Sequence, residues 1–95
     1  MKRIEIMANL SVELDIMDIL EKSGVKGFTK IPVVHGAGSS NPKKGDSIWP
    51  EENFMLIICI EENMVQSIKD KIVELKRNFP NEGIKYYVTE LVDHL

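Results

Sequence analysis

MKRIEIMANLSVELDIMDILEKSGVKGFTKIPVVHGAG, residues 1–38, holds a strand, a helix and a second strand in close succession, each with its own punctuation. In residues 2–8, Ile4, Ile6 and Ala8 alternate with Arg3, Glu5 and Met7, the period-two pattern of a strand. Asn9 or Ser11 is placed to accept from the first free amides of a following helix, and Val12, Ile16, Ile19 and Leu20 recur on one helical face. Gly24 offers the left-handed backbone on which helices commonly end. Residues 28–35, FTKIPVVH, are rich in β-branched and aromatic side chains. Pro32 removes one donor from their ladder, which predicts an edge strand or a bulge.

Beyond this opening lies GAGSSNPKKGDSIWPEE, residues 36–52, whose three Gly, two Pro and three Ser break both periodicities and predict a long loop. FMLIICI, residues 54–60, then runs apolar without alternation, the pattern of a strand buried on both faces at the centre of its sheet. Asn63 with Gln66 three positions on reads as a capping box for a second helix, in which Val65, Ile68, Ile72, Leu75 and Phe79 form the apolar stripe. Pro80, Asn81 and Gly83 end it, and residues 84–92 alternate again as a last strand. The order βαββαβ is the split βαβ arrangement, an α+β ferredoxin-like fold in which two helices cover one face of a four-stranded antiparallel sheet. One covered face does not account for a strand that is apolar on both sides. Either a partner subunit or the long loop folded back should cover the second face.

Composition bounds the function classes. The 95 residues are 43% apolar and 28% charged, which predicts a single domain spanning residues 1–95 with a modest core. A net charge of −3, without a basic stripe, argues against nucleic acid as a partner. One cysteine makes neither an intramolecular disulfide nor a multi-thiolate metal site, and fits a reducing compartment. The N-terminus lacks the pattern of a signal peptide and no segment is apolar enough to insert in a membrane, so the expectation is a cytoplasmic protein.

No catalytic constellation stands out, and the chain does not read as an enzyme. Cys59, between Ile58 and Ile60, is expected to be buried and inert. Nucleophile-elbow, zinc-protease, paired-cysteine and phosphate-loop motifs are absent from the sequence. Small acylphosphatases share the element order but hold phosphate with an arginine after strand one, where this chain has Met7-Ala8-Asn9-Leu10-Ser11. RNA-recognition domains need exposed aromatics on strands one and three, and only Phe54 is offered.

The two ends of the second strand carry the most specific pattern: Gly24-Val25-Lys26-Gly27-Phe28-Thr29 leads into it, and Val34-His35-Gly36-Ala37-Gly38 leads out into the long loop. This arrangement resembles the nitrogen-regulatory P-II family, clearly over the first 38 residues and by element order beyond them. There a similar Gly-x-x-Gly turn precedes strand two, and a Gly-x-Gly opens the protruding T-loop. The resemblance implies a homotrimer without catalysis of its own, with sheets packed around a threefold axis and adenine nucleotide bound in clefts between subunits. T-loops in that family engage a protein target such as a transporter or metabolic enzyme. Carried over, Gly27 and Thr29 would lie at the floor of the ligand cleft, with Gly36 and Gly38 at the base of a T-loop-like segment, residues 36–52.

The departures are as informative. P-II proteins grip phosphates with a glycine-rich loop between helix two and strand four and with arginines after it. Here that position reads Phe79-Pro80-Asn81-Glu82-Gly83, nothing basic follows strand four, and Lys85 reads as solvated strand decoration. The resemblance implies an adenine nucleotide as ligand, and the missing phosphate grip argues against it. The long loop also lacks the tyrosine that typical members modify. Within it, Pro42, Lys43, Lys44 and Trp49 form the expected partner-binding segment; Trp49 either anchors a partner or closes over its own cleft. The alternative function is a metal- or small-molecule-binding trimer of the cation-tolerance type without a signalling partner. For that reading His35 and His94 are the only histidines on offer, and their spacing is not a ligand motif.

Overall fold

Alternation in the opening residues becomes β1 (Lys2–Asn9), with Ile4, Ile6 and Ala8 buried and their neighbours half-buried. The computed structural model describes residues 1–36 and 51–95. Asn9 ends β1 and caps the adjoining turn: its Oδ1 accepts from the Ser11 amide at 3.0 Å, and a 3-10 turn, Leu10–Val12, feeds α1 (Glu13–Lys22). Val12, Ile16 and Leu20 are the buried stripe. Gly24 stops the helix at φ +81°, and the next amide, that of Val25, donates to the Leu20 carbonyl at 3.0 Å. The chain then forms β2 (Thr29–Gly36), β3 (Glu51–Ile60), α2 (Glu62–Asn78) and β4 (Ile84–Glu90).

The four strands form an antiparallel sheet in the order β2-β3-β1-β4. Its helix-covered face supplies the β part of one core: Ile4, Ile6, Phe54, Leu56, Ile58 and Ile84 pack with Ile16 and Leu20 of α1 and Ile68, Ile72 and Leu75 of α2. This is the α+β ferredoxin-like arrangement read from the element order. Pro32 acts as its chemistry requires. β2 lies at an edge, and its register on β3 slips between Ile31, which pairs with Met55, and Val34, which pairs with Asn53.

Three sequence expectations change. The continuous apolar run of β3 is buried on alternate residues only: Phe54, Leu56, Ile58 and Ile60 face the core, while Met55 and Ile57 are half-buried and Cys59 is exposed on the other side. Covering by helices on one face explains this; among the described residues no element covers the second, and the long loop offered as its alternative cover lies outside them. The capping box does not form. Helix α2 starts at Glu62 with no side-chain cap, which places Asn63 inside the first turn, and the Gln66 amide donates instead to Asp70 one turn onward at 2.8 Å. Phe79 leaves the apolar stripe because it is the residue at which helical backbone stops (φ −128°, ψ 65°), so its side chain is exposed.

The β1–β4 seam is pinned at one end by Lys2, whose ammonium donates to Glu90 at 3.0 Å and lies 3.9 Å from Glu62. Accepting from Lys2 lowers the Glu90 pKa, and the same bond raises that of Lys2. The stabilisation is therefore full between the ordinary carboxylate and ordinary lysine ranges. It is lost as pH falls through the lowered Glu90 value, and on the alkaline side as pH rises through the raised Lys2 value. Glu90→Gln should melt below wild type at neutral pH, and the gap between the two melting curves should close in acid as Glu90 is protonated. In the core, Ile58→Ala is expected to cost about 2–5 kcal/mol in urea unfolding, since Ile58 is fully buried on the central strand.

Candidate functional site

β2 joins the two glycine-containing segments singled out in the sequence, and its extension keeps them apart. Thr29 pairs with Ile57 near one end of β3, whereas Gly36 pairs with Glu51 at the other. At the rise of an extended chain the separation is roughly 20 Å. Gly27 and Thr29 therefore do not meet Gly36 within one copy. Gly38, Pro42, Lys43, Lys44 and Trp49 lie outside the described residues.

At the Thr29 end the geometry is that of a shallow site. The turn after α1 brings Gly24, Lys26 and Gly27 beside Met1, Cys59 and Glu61, where they line a depression of about 280 Å³. Lys26 and Glu61 give it one charge of each sign. A Cβ built on Gly27 would meet nothing within 4 Å, so glycine is not demanded there by packing inside the subunit. At the Gly36 end, the nearest atom to such a Cβ is the Asn53 side-chain nitrogen at 3.8 Å, an ordinary contact. Met1, Cys59 and Glu61 were not legible as site residues, because the depression is assembled from chain segments far apart in sequence.

The histidines do not converge. His35 is exposed and pairs with Glu52 at the Gly36 end of the sheet, whereas His94 follows β4 at the opposite end, its amide donating to Asp93 Oδ1 at 2.9 Å. Among the described residues no group of three metal-ligating side chains gathers. None of their helices is long and apolar enough to cross a membrane.

The face of the sheet opposite the helices is the larger feature. Strand alternation and register place Ile31, Met55 and Met7 in one row across β2, β3 and β1, and Thr29, Ile57, Glu5 and Tyr87 in the next. Ile31 is 38% exposed and Tyr87 47%, with Met7, Met55 and Ile57 between them half-buried. An Arg3–Glu5 ion pair at 2.9 Å marks the polar part of this face. An apolar strip of this kind on a sheet is a surface that association would cover.

An antiparallel ferredoxin-like sheet, a glycine turn before β2 and an open apolar sheet face are together those of a small α+β protein whose sheet leaves one face for contact. The chain belongs to the nitrogen regulatory protein P-II family, whose model matches residues 1–94. Its fold is similar to that of CPII, a nitrogen regulatory PII-like protein from Thiomonas intermedia K12. In the CPII structure bound to ADP, AMP and bicarbonate, the TM-score is 0.76 at 21% identity, covering 95% of this chain and 88% of that one. A putative PII-like signaling protein from Thermus thermophilus matches with a TM-score of 0.67 at 25% identity, over 93% of this chain and 83% of the other. No curated protein sequence matches significantly.

The two glycines of the α1–β2 turn should separate by experiment. Gly24→Ala is expected to destabilise by about 1 kcal/mol, because its φ is positive. Gly27→Ala should stay within about 0.5 kcal/mol of wild type. Urea denaturation of the two variants side by side measures the difference.

Proposed function

We propose that the chain is the non-catalytic regulatory subunit of a homotrimer. In it a small ligand at clefts between subunits sets the conformation of residues 36–52, and a protein target such as a transporter or metabolic enzyme reads that segment. The observation that carries the reading is the open sheet face, where Ile31, Met55, Met7 and Ile57 need a covering layer that further copies of the same face supply. The separation along β2 supports the same arrangement. A single cleft can use Gly27 and Thr29 together with Gly36 only if they come from adjacent copies. Within this reading Pro42, Lys43, Lys44 and Trp49 contact the target, and the fold acts as a single domain that presents them.

Adenine nucleotides are the first ligands to test, because CPII, which shares the fold, was solved with ADP and AMP. The connection between α2 and β4 here is Phe79 to Gly83, too short and too poor in donors for a phosphate-gripping loop. A nucleotide in the cleft would be held by its base and sugar, so affinity should not rise from AMP to ATP.

Sedimentation velocity should give the mass of three chains, and Ile57→Lys, which places a charge on the open face, should give one. A stable wild-type monomer would overturn the trimer. Calorimetry with AMP, ADP and ATP, each with and without bicarbonate, tests the ligand. Binding that tightens with each added phosphate would show a grip that this reading denies.

A further inference from the structure

Ten basic side chains lie among the described residues, and four of them, Lys2, Arg3, Lys22 and Lys30, hold ion pairs. Lys69, Lys76 and Lys85 form none among the described residues, yet all three line one depression of about 320 Å³ between α2 and β4. Lys69, Val73 and Lys76 recur at helical spacing on the side of α2 that faces β4, so the two lysines stand about 10 Å apart along the helix. Lys85 rises from the strand across from them. Three ammonium groups around one hollow, without an ion pair among the described residues, are a local positive field in a chain of net charge −3.

The floor suits a flat body. Val73 is exposed apolar surface and Tyr86 lines the same hollow, while Tyr87, on the other side of β4, borders it. The Tyr86 hydroxyl donates to the Val65 carbonyl at 3.2 Å, which occupies its polar end and leaves the ring as the contact surface. Burial pushes its pKa up, so it adds no negative charge at neutral pH. Lys76 Nζ reaches the Ile84 carbonyl at 3.5 Å, a long contact that leaves its other donors free. The volume lies at the small end of small-molecule sites.

We propose that the α2–β4 groove binds a small planar polyanion, a flat ring bearing two or more carboxylate or phosphate groups, with Lys69, Lys76 and Lys85 taking the charges and Val73 and Tyr86 the ring. The site is separate from the Gly27 depression, because β4 and β2 are opposite edges of the sheet. By register Lys85 and Tyr87 stand on the side of β4 that continues the Met7 and Glu5 rows, so the groove borders the face that the trimer reading covers, and the sedimentation of the triple variant tells the two apart.

The test is an amide NMR titration with trimesate, a benzene ring carrying carboxylates at alternate positions, at low salt. Saturable shifts confined to residues 69–76 and 84–87, weakening as salt is added, are expected. Replacing Lys69, Lys76 and Lys85 together by Gln should raise Kd roughly tenfold or more, as the loss of several charge-assisted contacts implies. Val73→Glu, which puts a carboxylate on the floor, should do the same. Lys22→Gln, whose ammonium pairs with Asp18 on α1, should bind as wild type. Shifts that do not saturate, shifts that map to residues 24–29, or unchanged affinity in the triple variant would overturn the proposal. So would a changed sedimentation coefficient for the triple variant, which would make the groove a contact between copies, or binding of an acidic peptide but not of trimesate.

Discussion

Everything in this structure hangs on β3, the strand that must satisfy two different environments with one apolar run. Its even-numbered residues from Phe54 to Ile60 fill the core against both helices, while Met55 and Ile57 stand on the far side with no layer above them among the described residues. Because side chains alternate strictly along a strand, neither set can be moved without moving the other. Pairing with β1 on one side and β2 on the other transmits that division across the sheet, so Met7 and Ile31 join the uncovered side by register. The apolar strip on the far side is thus a consequence of how the core is filled.

The same sheet sets the geometry of the glycine-containing ends. An extended strand is a rigid spacer, and β2 holds the Gly27–Thr29 turn and the Gly36 exit at opposite limits of its length. Proximity along the sequence does not become proximity in space when the intervening residues are a strand. That is why two segments read from one contiguous stretch of sequence stand apart within one copy. Bulge and edge position at Pro32 limit further pairing on the β2 side. β4, the opposite edge, instead carries the tyrosines and Lys85 that form one wall of the basic groove.

Local chemistry was readable wherever one residue decides its own conformation. Gly24 takes the positive φ, Asn9 accepts the first free amide, Pro32 breaks a ladder, and the stripes of Ile16 and Leu20 and of Ile68, Ile72 and Leu75 are buried as their spacing requires. Less legible were choices between competing partners. Gln66 had a reciprocal cap and a carboxylate one turn onward within reach, and the carboxylate won. Cys59 sat in an apolar run that looked buried, but exposure depends on which face the helices cover. Lys69, Lys76 and Lys85 looked like ordinary surface decoration, since nothing in their spacing reveals that helix and strand bring them to one hollow.

By itself, then, the sequence determined the order and type of the elements, the edge that cannot pair regularly, and the presence of more apolar strand surface than two helices can cover. These follow from backbone sterics and side-chain periodicity, which act over a few residues. Only the tertiary structure decided which face of β3 is left open, how far apart Thr29 and Gly36 stand, and which lysines share a groove without an ion pair among the described residues. Those depend on register and on packing between segments distant in the chain, where one strand's placement sets the surroundings of the next.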